Sequence, residues 1–570
     1  MRLLEKMCFV VLASGLALGQ TTATNSGSAR PGSVAEELKA LREAINDQQK
    51  QIAQQQQQIT QQQQNIANQQ QKIENLEQQL LEKTSGTPRV ADASLHTAMP
   101  AAAGATTAIQ ETEKPKESPL SFRIGNADFT PGGFVDFENV FRTTNTGNVT
   151  ATNFWAIPFN NTAAGHLTEY RSTGQYSRIN LKTTTKFKGN DVTGYIEADF
   201  NGNDAANVFI TSNPHTMRLR LYWVDLKRGA WEFLGGQTWG LQTPNRTGVS
   251  PSPADLSLTL GEDAQTHVGI NYTRAAEFRA AYHFNKEFVW AVALQNPQQF
   301  IGQGNEVIFP SAFSAALATQ FDNAAVSGAP NAAPDFLTKF AWDTGTAHKF
   351  HLELGGLTTS AKVAVTPTVA GAGFKKHSMF GGGLMGAFNY ELIKNFRVLA
   401  QGMWGPGVGR YLIAMGPQAV AVAVPASGSA ACAPLPLGGC DISLSPVHSG
   451  DGLLGIETQM GKSQFGFYYG GAYFQRNTFR DLTVAAQPFI GFGNFGATPA
   501  VAGIMNRAIQ EGTIDWTQTF WRNPQYGAVL LVTQGSYVTR SPWSQGTGPT
   551  INPKNAHLTM GYVSLRYVLP

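Results

Sequence analysis

Beyond its first residues, this 570-residue chain has no apolar run long enough to cross a bilayer as a helix. Charge is sparse too, at 14% of residues, and 42 basic against 39 acidic side chains leave a net charge of only +3. That balance excludes a strongly basic polyanion binder, and nothing here points to nucleic acid. The three cysteines (Cys8, Cys432, Cys440) and ten scattered histidines include no HExxH spacing. No metal site and no cofactor is expected from so few ligands.

The first residues, "MRLLEKMCFVVLASGLALGQ", read as an export signal. Arg2 and Lys6 precede an apolar core that is too short to span, and Ala17-Leu18-Gly19 is a small-x-small cleavage site. The signal is assigned to residues 1–19, with Cys8 inside its core and lost with it. In an exported chain, Cys432 and Cys440 in "CAPLPLGGC" suggest one disulfide pinning a loop.

A glutamine-rich stretch follows, in which isoleucine returns every seven residues at Ile45, Ile52, Ile59, Ile66 and Ile73. Val34, Leu41 and Leu76 sit at the d positions of the same heptad, with glutamines between them. A strict seven-residue apolar repeat predicts a left-handed α-helical coiled coil over residues 34–82. From Val34 to Leu80 it would form a rod of roughly 70 Å. Isoleucine at a with a polar amide at d resembles trimeric bacterial surface coiled coils. Residues 83–120, rich in Ala, Pro, Thr and Lys, read as a flexible linker.

Residues 121–570 carry the other periodicity. In "SRINLKTTTKF", Ile179, Leu181, Thr183, Thr185 and Phe187 share one face, and Arg178, Asn180, Lys182, Thr184 and Lys186 share the other. A three-residue turn (Gly189-Asn190-Asp191) leads to "VTGYIEADF", which also alternates, so the pair reads as a hairpin. Similar stretches recur to the end of the chain. Short gaps alternate with long ones at about 143–172, 201–215, 240–266, 297–333, 358–377, 405–448, 475–524 and 541–555. Short turns at one end and long loops at the other mark an outer-membrane barrel, and eight long loops require sixteen antiparallel strands. Boundaries blur at residues 268–284 and 525–543. A mean hydropathy of −0.19 does not contradict a membrane span, because alternating faces cancel in the average. A soluble sandwich fits less well. Trp223, Trp231, Trp239, Trp290, Trp342 and Trp404 lie near strand ends, as an interfacial girdle needs, and the opposite faces carry charges that a dry core would exclude. The expected fold is thus an all-β transmembrane barrel of sixteen strands, preceded by an α-helical coiled coil.

The ordered set "YSRINLKTTTKFKGNDVTGYIEADFNG", "MRLRLYWVDL", "FLGGQTWG", "VALQNP" and "GPGVGRYL", from about Ser177 to Leu412, resembles the DcaP-like family of trimeric outer-membrane porins. Some members also place a coiled coil before the barrel. The resemblance implies a homotrimer in the outer membrane, the rod in the periplasm, and passive diffusion of small hydrophilic, often anionic, solutes. The chain departs from the usual pattern in ending "YVLP" rather than in an aromatic residue.

A pore needs a charged constriction rather than a nucleophile. The basic lumen candidates are Arg178, Lys182, Lys186, Arg218, Arg220, Lys339 and Arg397. Carried over from the family pattern, Arg178, Arg218 and Arg220 form part of a basic ladder facing Glu197 and Asp199. The alternative is that these arginines are struts neutralising the two acids. In general porins the third long loop folds inward. Here that loop follows "GQTWG", and its polar candidates are Asn245, Arg246, Asp255, Glu262 and Asp263. His351 and Glu353 in "HKFHLE", the His377-Ser378 pair and "GPGVGR" are isolated features without catalytic partners, so no enzyme is expected. Two rival readings make the barrel an anchor tethering the envelope through its rod, or a surface adhesin or enzyme built on the long loops.

Replacing Ile52, Ile59 and Ile66 with Asp would put charge into each central layer of the rod. The isolated segment 31–83 is expected to be helical and oligomeric by circular dichroism and sedimentation, and the triple variant monomeric with helicity lost.

Overall fold

The computed structural model describes residues 118–147, 151–202, 216–251, 267–271, 273–303, 306–323, 328–331, 333–345, 349–413, 415–434, 437–494 and 496–570. The chain divides into two units, Met1–Leu95 and His96–Pro570, and all the described residues belong to the second. The signal, the rod and residues 83–117 of the linker lie outside the described residues.

The second unit is a closed antiparallel barrel. The short β1 (Phe122–Ile124) folds back on β2 (Ala127–Arg142). β3 (Glu169–Thr173) and β4 (Arg178–Phe187) pair with the two halves of β2 and make one stave, interrupted at residues 174–177. Nine staves follow, each beside the last: β5 (Asn190–Asp199), β6 (Arg218–Arg228), β7 (Trp231–Thr238), β8 (Ala275–His283), β9 (Phe288–Gln295), β10 (Asp335–Thr344), β11 (Phe350–Val365), β12 (Lys375–Ile393) and β13 (Phe396–Pro406). β14 (Ala419–Pro425) and β15 (Cys440–Pro446) form a hairpin within a long loop. The wall continues with β16 (His448–Met460) and β17 (Ser463–Phe474). A second loop hairpin, β18 (Asn477–Arg480) and β19 (Phe489–Phe492), comes next. The last staves are β20 (Asn506–Asn523), β21 (Gly527–Pro542) and β22 (Ala556–Val568). β22 then pairs with β2, from Phe134↔Val568 to Arg142↔Met560, and closes sixteen staves. The sequence count therefore holds. The terminal Pro570 is tied in as well, since its carbonyl accepts from the Ser118 hydroxyl at 3.0 Å.

Several boundaries differ from the sequence reading. The first hairpin turns on two residues, Lys188 and Gly189, with φ of 48° and 79°. Both are left-handed, as a type I′ turn requires, so Asn190 and Asp191 already belong to β5. β11 and β12 extend far into the stretch taken as the 358–377 loop and leave only residues 366–374 outside the wall. β20 likewise claims residues 506–523 of the supposed 475–524 loop. These extensions ("TTSAKVAV", "KKHSMFGGG") are built of small and polar residues, so they lack the aromatic alternation that marks a lipid-facing strand.

Alternation sorts the wall into two faces. Phe278, Phe340, Leu354, Leu384, Leu454 and Phe467 are exposed on the outside. Near the short turns their neighbours form an aromatic belt: Trp231 stacks on Phe233 and meets Tyr282 edge-on, and Phe288 stacks on Trp342. Trp404 stacks on Tyr473 near the long-loop end. Two tryptophans depart from the expected girdle. Trp223 stacks on the inward Tyr195, and Trp239 lies just past β7 at the start of the third loop.

Outside the wall, three long loops share an apolar core that includes Phe309, Phe321, Tyr411, Leu412, Ile442 and Phe492. Ile308 and Gly491 exchange backbone hydrogen bonds between two of these loops. Ser311 donates to Asp481 through its amide at 2.8 Å and its hydroxyl at 2.6 Å. Burial pushes the Asp481 carboxyl up, but the bonds from Ser311 and Thr483 outweigh it and hold it below its ordinary range. Cys432, in the connection between β14 and β15, is joined to Cys440, the first residue of β15. "GPGVGR" makes no phosphate cradle: Arg410 is buried against Asp335 at 3.0 Å and the Tyr411 hydroxyl at 2.9 Å.

Candidate pore and constriction loop

The candidate basic residues on β4 and β6 flank the acids of β5. Along β6, Arg220 is an extra residue opposite Glu197 and Ala198, a β-bulge. The bulge lets Arg218 and Arg220 point inward and then inverts the parity, so that Leu221 and Trp223 also face in. That is why Trp223 left the girdle. Arg218 donates through Nε and Nη2 to the two oxygens of Asp199, at 3.0 and 2.7 Å. Arg220 bridges Glu197 and Asp199 at 2.7 Å each, and its side chain is fully buried. Arg178 stands in register with Asp199 and lies over the Phe134 ring, which Arg566 covers as well. Arg220 and Arg274 both lie over the Trp239 ring. The arginines and acids thus interleave on adjacent staves, and Arg220 is a strut. The Arg218 side chain keeps a quarter of its surface exposed, and Lys182 is half-buried on the same face.

The described arms of the third loop, residues 239–251 and 267–271, lie inside the barrel and are held by distant staves. The Asn245 amide and side-chain Nδ2 donate to Glu353 on β11, at 3.0 and 3.1 Å. Arg246 makes a two-pronged pair with Glu457 on β16, both contacts 2.7 Å. The Gly248 amide donates to Asp343 on β10 at 2.9 Å. Returning, Val268 donates its amide to Glu511 on β20, and Gln401 on β13 donates to the Gly269 carbonyl at 2.7 Å. Carboxylates that accept backbone amides make charge-assisted bonds, about twice as strong as neutral ones. Asn245 and Arg246 therefore stand in the lumen, whereas Asp255, Glu262 and Asp263 lie outside the described residues.

The return arm touches the wall where side chains are missing. A β-carbon on Gly470 would overlap the Val268 carbonyl, and one on Gly269 (φ +99°) would overlap the Gly452 carbonyl. Beside this notch, Ile270 is buried on Leu399, Leu453 and Tyr468. Burying an isoleucine contributes about 1.5–3 kcal/mol.

The remaining basic candidates are dispersed. Lys186 is 86% exposed at the short-turn end and pairs with Asp191, away from the cluster. Lys339 is buried and donates to Glu353 and to the Thr243 carbonyl, so it secures the loop. Arg397 is 3.6 Å from Glu457, beside Arg246. The sequence reading missed Glu353 as an anchor, and Glu457, Glu511 and Gln401 altogether. Each sits at an inward position of its strand, which is the one signal that could have raised it. The wall of β16 and β20 also buries the carboxylates of Asp451 and Asp515 without a hydrogen-bond partner among the described residues.

A closed, even-numbered barrel with an aromatic outer belt, a charged interior and long loops at one end defines an outer-membrane β-barrel of the porin type. Its structure is similar to that of the outer-membrane channel DcaP of Acinetobacter baumannii, with a TM-score of 0.50 and 14% identity over 78% of this chain and 97% of that one. The DcaP-like resemblance read from the sequence is borne out in the fold. Other similar structures are an anion-selective porin from Comamonas acidovorans (TM-score 0.40, 10% identity, 78% of this chain and 99% of that one) and OmpF of Salmonella typhi (TM-score 0.40, 9% identity, 79% and 100%). No family model and no curated protein matches the chain.

Gly470→Val is expected to lift the return arm from the wall and raise single-channel conductance, because any β-carbon there displaces Val268. Gly471→Ala, where a β-carbon meets only ordinary contacts, is the control and is expected to conduct as the wild type does. Equal conductance in all three would show that the notch does not hold the loop.

Proposed function

We propose that this protein is an outer-membrane porin that passes small hydrophilic solutes by diffusion. The observation that carries the reading is the third loop, drawn across a closed barrel and fastened to staves on the far wall. Such a loop sets a constriction that a mere membrane anchor does not need. Planar-bilayer recording of the full chain tests it: discrete conductance steps are expected, and their absence refutes it.

For selectivity, the favoured solutes are anions. On β4 and β6, four cations (Arg178, Lys182, Arg218, Arg220) outnumber the two carboxylates of β5 that they meet. β16 stands eight staves around from β6, and with β20 it carries the carboxylates of Glu457 and Glu511. A transverse field across the lumen follows, with its positive side at Arg218 and Lys182. Removing Arg220 would strand buried carboxylates at a cost of about 3–5 kcal/mol, so it is a poor probe. Arg218→Gln with Lys182→Gln leaves Arg220 in place. The pair is expected to lower the anion-to-cation permeability ratio in a salt-gradient reversal-potential measurement; an unchanged ratio would move the selective charge elsewhere.

The assembly is proposed to be a homotrimer, with the rod trimerising in the periplasm. Support comes from the outer surface. Staves β21, β22, β2, β3/β4 and β5 present Gly535, Gly561, Asn139, Ser172, Thr183, Thr185 and Gly194 outward, among larger aliphatic and aromatic residues. The Asn139 side-chain oxygen accepts from the Tyr170 and Ser172 hydroxyls, both at 2.7 Å. Small and polar groups suit close contact between copies better than lipid. Gly561→Trp is expected to yield monomers on unheated gels. Gly386→Trp, on the aromatic side, is expected to leave the trimer intact; trimers in both would remove this face from the interface.

A further inference from the structure

The "HKFHLE" pair, without partners in the sequence, has them in the structure. His351 lies at the short-turn end of β11, buried in the wall. Its Nδ1 is 2.8 Å from the Asp343 carboxylate of β10, and its Nε2 is 3.2 Å from Glu353. Carboxylates only accept, so a ring that bonds both must donate from both nitrogens, which only the imidazolium does. These are also the two carboxylates that hold the entering arm of the third loop. Asp343 takes the Gly248 amide with its second oxygen, and Glu353 takes both nitrogens of Asn245. Lys339 completes the group by joining Glu353 to the Thr243 carbonyl.

We propose that Asp343, His351, Glu353 and Lys339 form a clamp that positions the constriction loop, with His351 as its proton-dependent member. Two carboxylates against one ammonium and one imidazolium sum to zero, so the protonated clamp is balanced. When His351 loses its proton, one nitrogen turns a lone pair toward a carboxylate, and an excess negative charge remains in a dry place. The carboxylates then shift, and the backbone bonds to Asn245 and Gly248 loosen with them. The groups facing the ring are few. β10 supplies Asp343 and Lys339, β11 supplies Glu353, β12 supplies the neutral Asn389 in register and Glu391 two residues on, and the loop supplies Asn245 and Gly248. Arg246, the nearest loop cation in sequence, is bound to Glu457 instead.

The inference rests on the porin reading for its consequence, but its geometry can be read separately. Hydrogen exchange of full-length trimers at neutral pH, followed on the peptide over residues 239–251, compares wild type with His351→Gln and Asp343→Asn. The amides of Asn245 and Gly248 are expected to exchange about tenfold faster or more in both variants, while the strands keep their protection. Unchanged exchange in both variants overturns the clamp. Where His351→Gln fails to fold, Asp343→Asn and the wild-type pH profile carry the test. Wild-type conductance is expected to rise with pH as His351 deprotonates, and to be flat in His351→Gln. A flat wild-type profile, or an equal rise in the variant, overturns the proton dependence. Faster exchange without any channel in the wild type would refute the porin and leave the clamp; channels with unchanged exchange would do the reverse.

Discussion

Everything in this barrel depends on the pairing of β22 with β2. Within a bilayer no water is at hand for a backbone amide or carbonyl, so an unpaired sheet edge is not tolerated. The nine-residue register from Phe134↔Val568 to Arg142↔Met560 removes the last edges. The ends of the described chain are drawn into the same seam: Leu569 donates its amide to the Gly133 carbonyl, and Ser118 bonds Pro570.

Closure fixes the parity of each stave, and parity fixes the chemistry. One face must be apolar, and the other looks into a lumen that holds charge. The interior is not a random mixture, however. Arg220 satisfies two carboxylates at once because the bulge at its position lets two neighbouring residues of β6 point the same way. A regular strand would have turned Leu221 outward and Trp223 with it. One extra residue thus builds the Arg218–Asp199–Arg220–Glu197 network and moves an aromatic into the lumen.

How much of this could be read in advance follows from how local each signal is. The hairpin of β4 and β5 was legible because alternation and turn lie within some twenty consecutive residues. The sixteen staves followed from counting long loops, even though two loops were drawn too long, one where β11 and β12 climb on small residues and one that took in β20. The inward fold of the third loop followed from its order in the chain. Its fastenings could not. Asn245 and Glu353 are 108 residues apart, Arg246 and Glu457 are 211 apart, and Val268 and Glu511 are 243 apart. No window along the sequence relates such pairs, and an inward Glu on a strand looks the same whether it anchors a loop or lines a wall. The bulge at Arg220 was invisible for the opposite reason: it changes parity without changing any residue type.

The loops are held by two different kinds of force, and the difference has consequences. Outside the wall, the loops around β14, β15, β18 and β19 bury a shared apolar core, so most of their cohesion is hydrophobic. The constriction loop has apolar support at fewer points: Leu241, Val249 and Val268 join the large apolar cluster, and Ile270 a smaller one. A thin loop crossing a polar lumen can bury only limited surface, and it depends also on carboxylates receiving its amides and the Arg246 guanidinium. Those bonds are strong where water is excluded, but each depends on a charge staying in place. A pore built this way has a rigid exterior and a constriction whose position is set electrostatically. Its width should then respond to the charge state of the wall while the loops above it do not move.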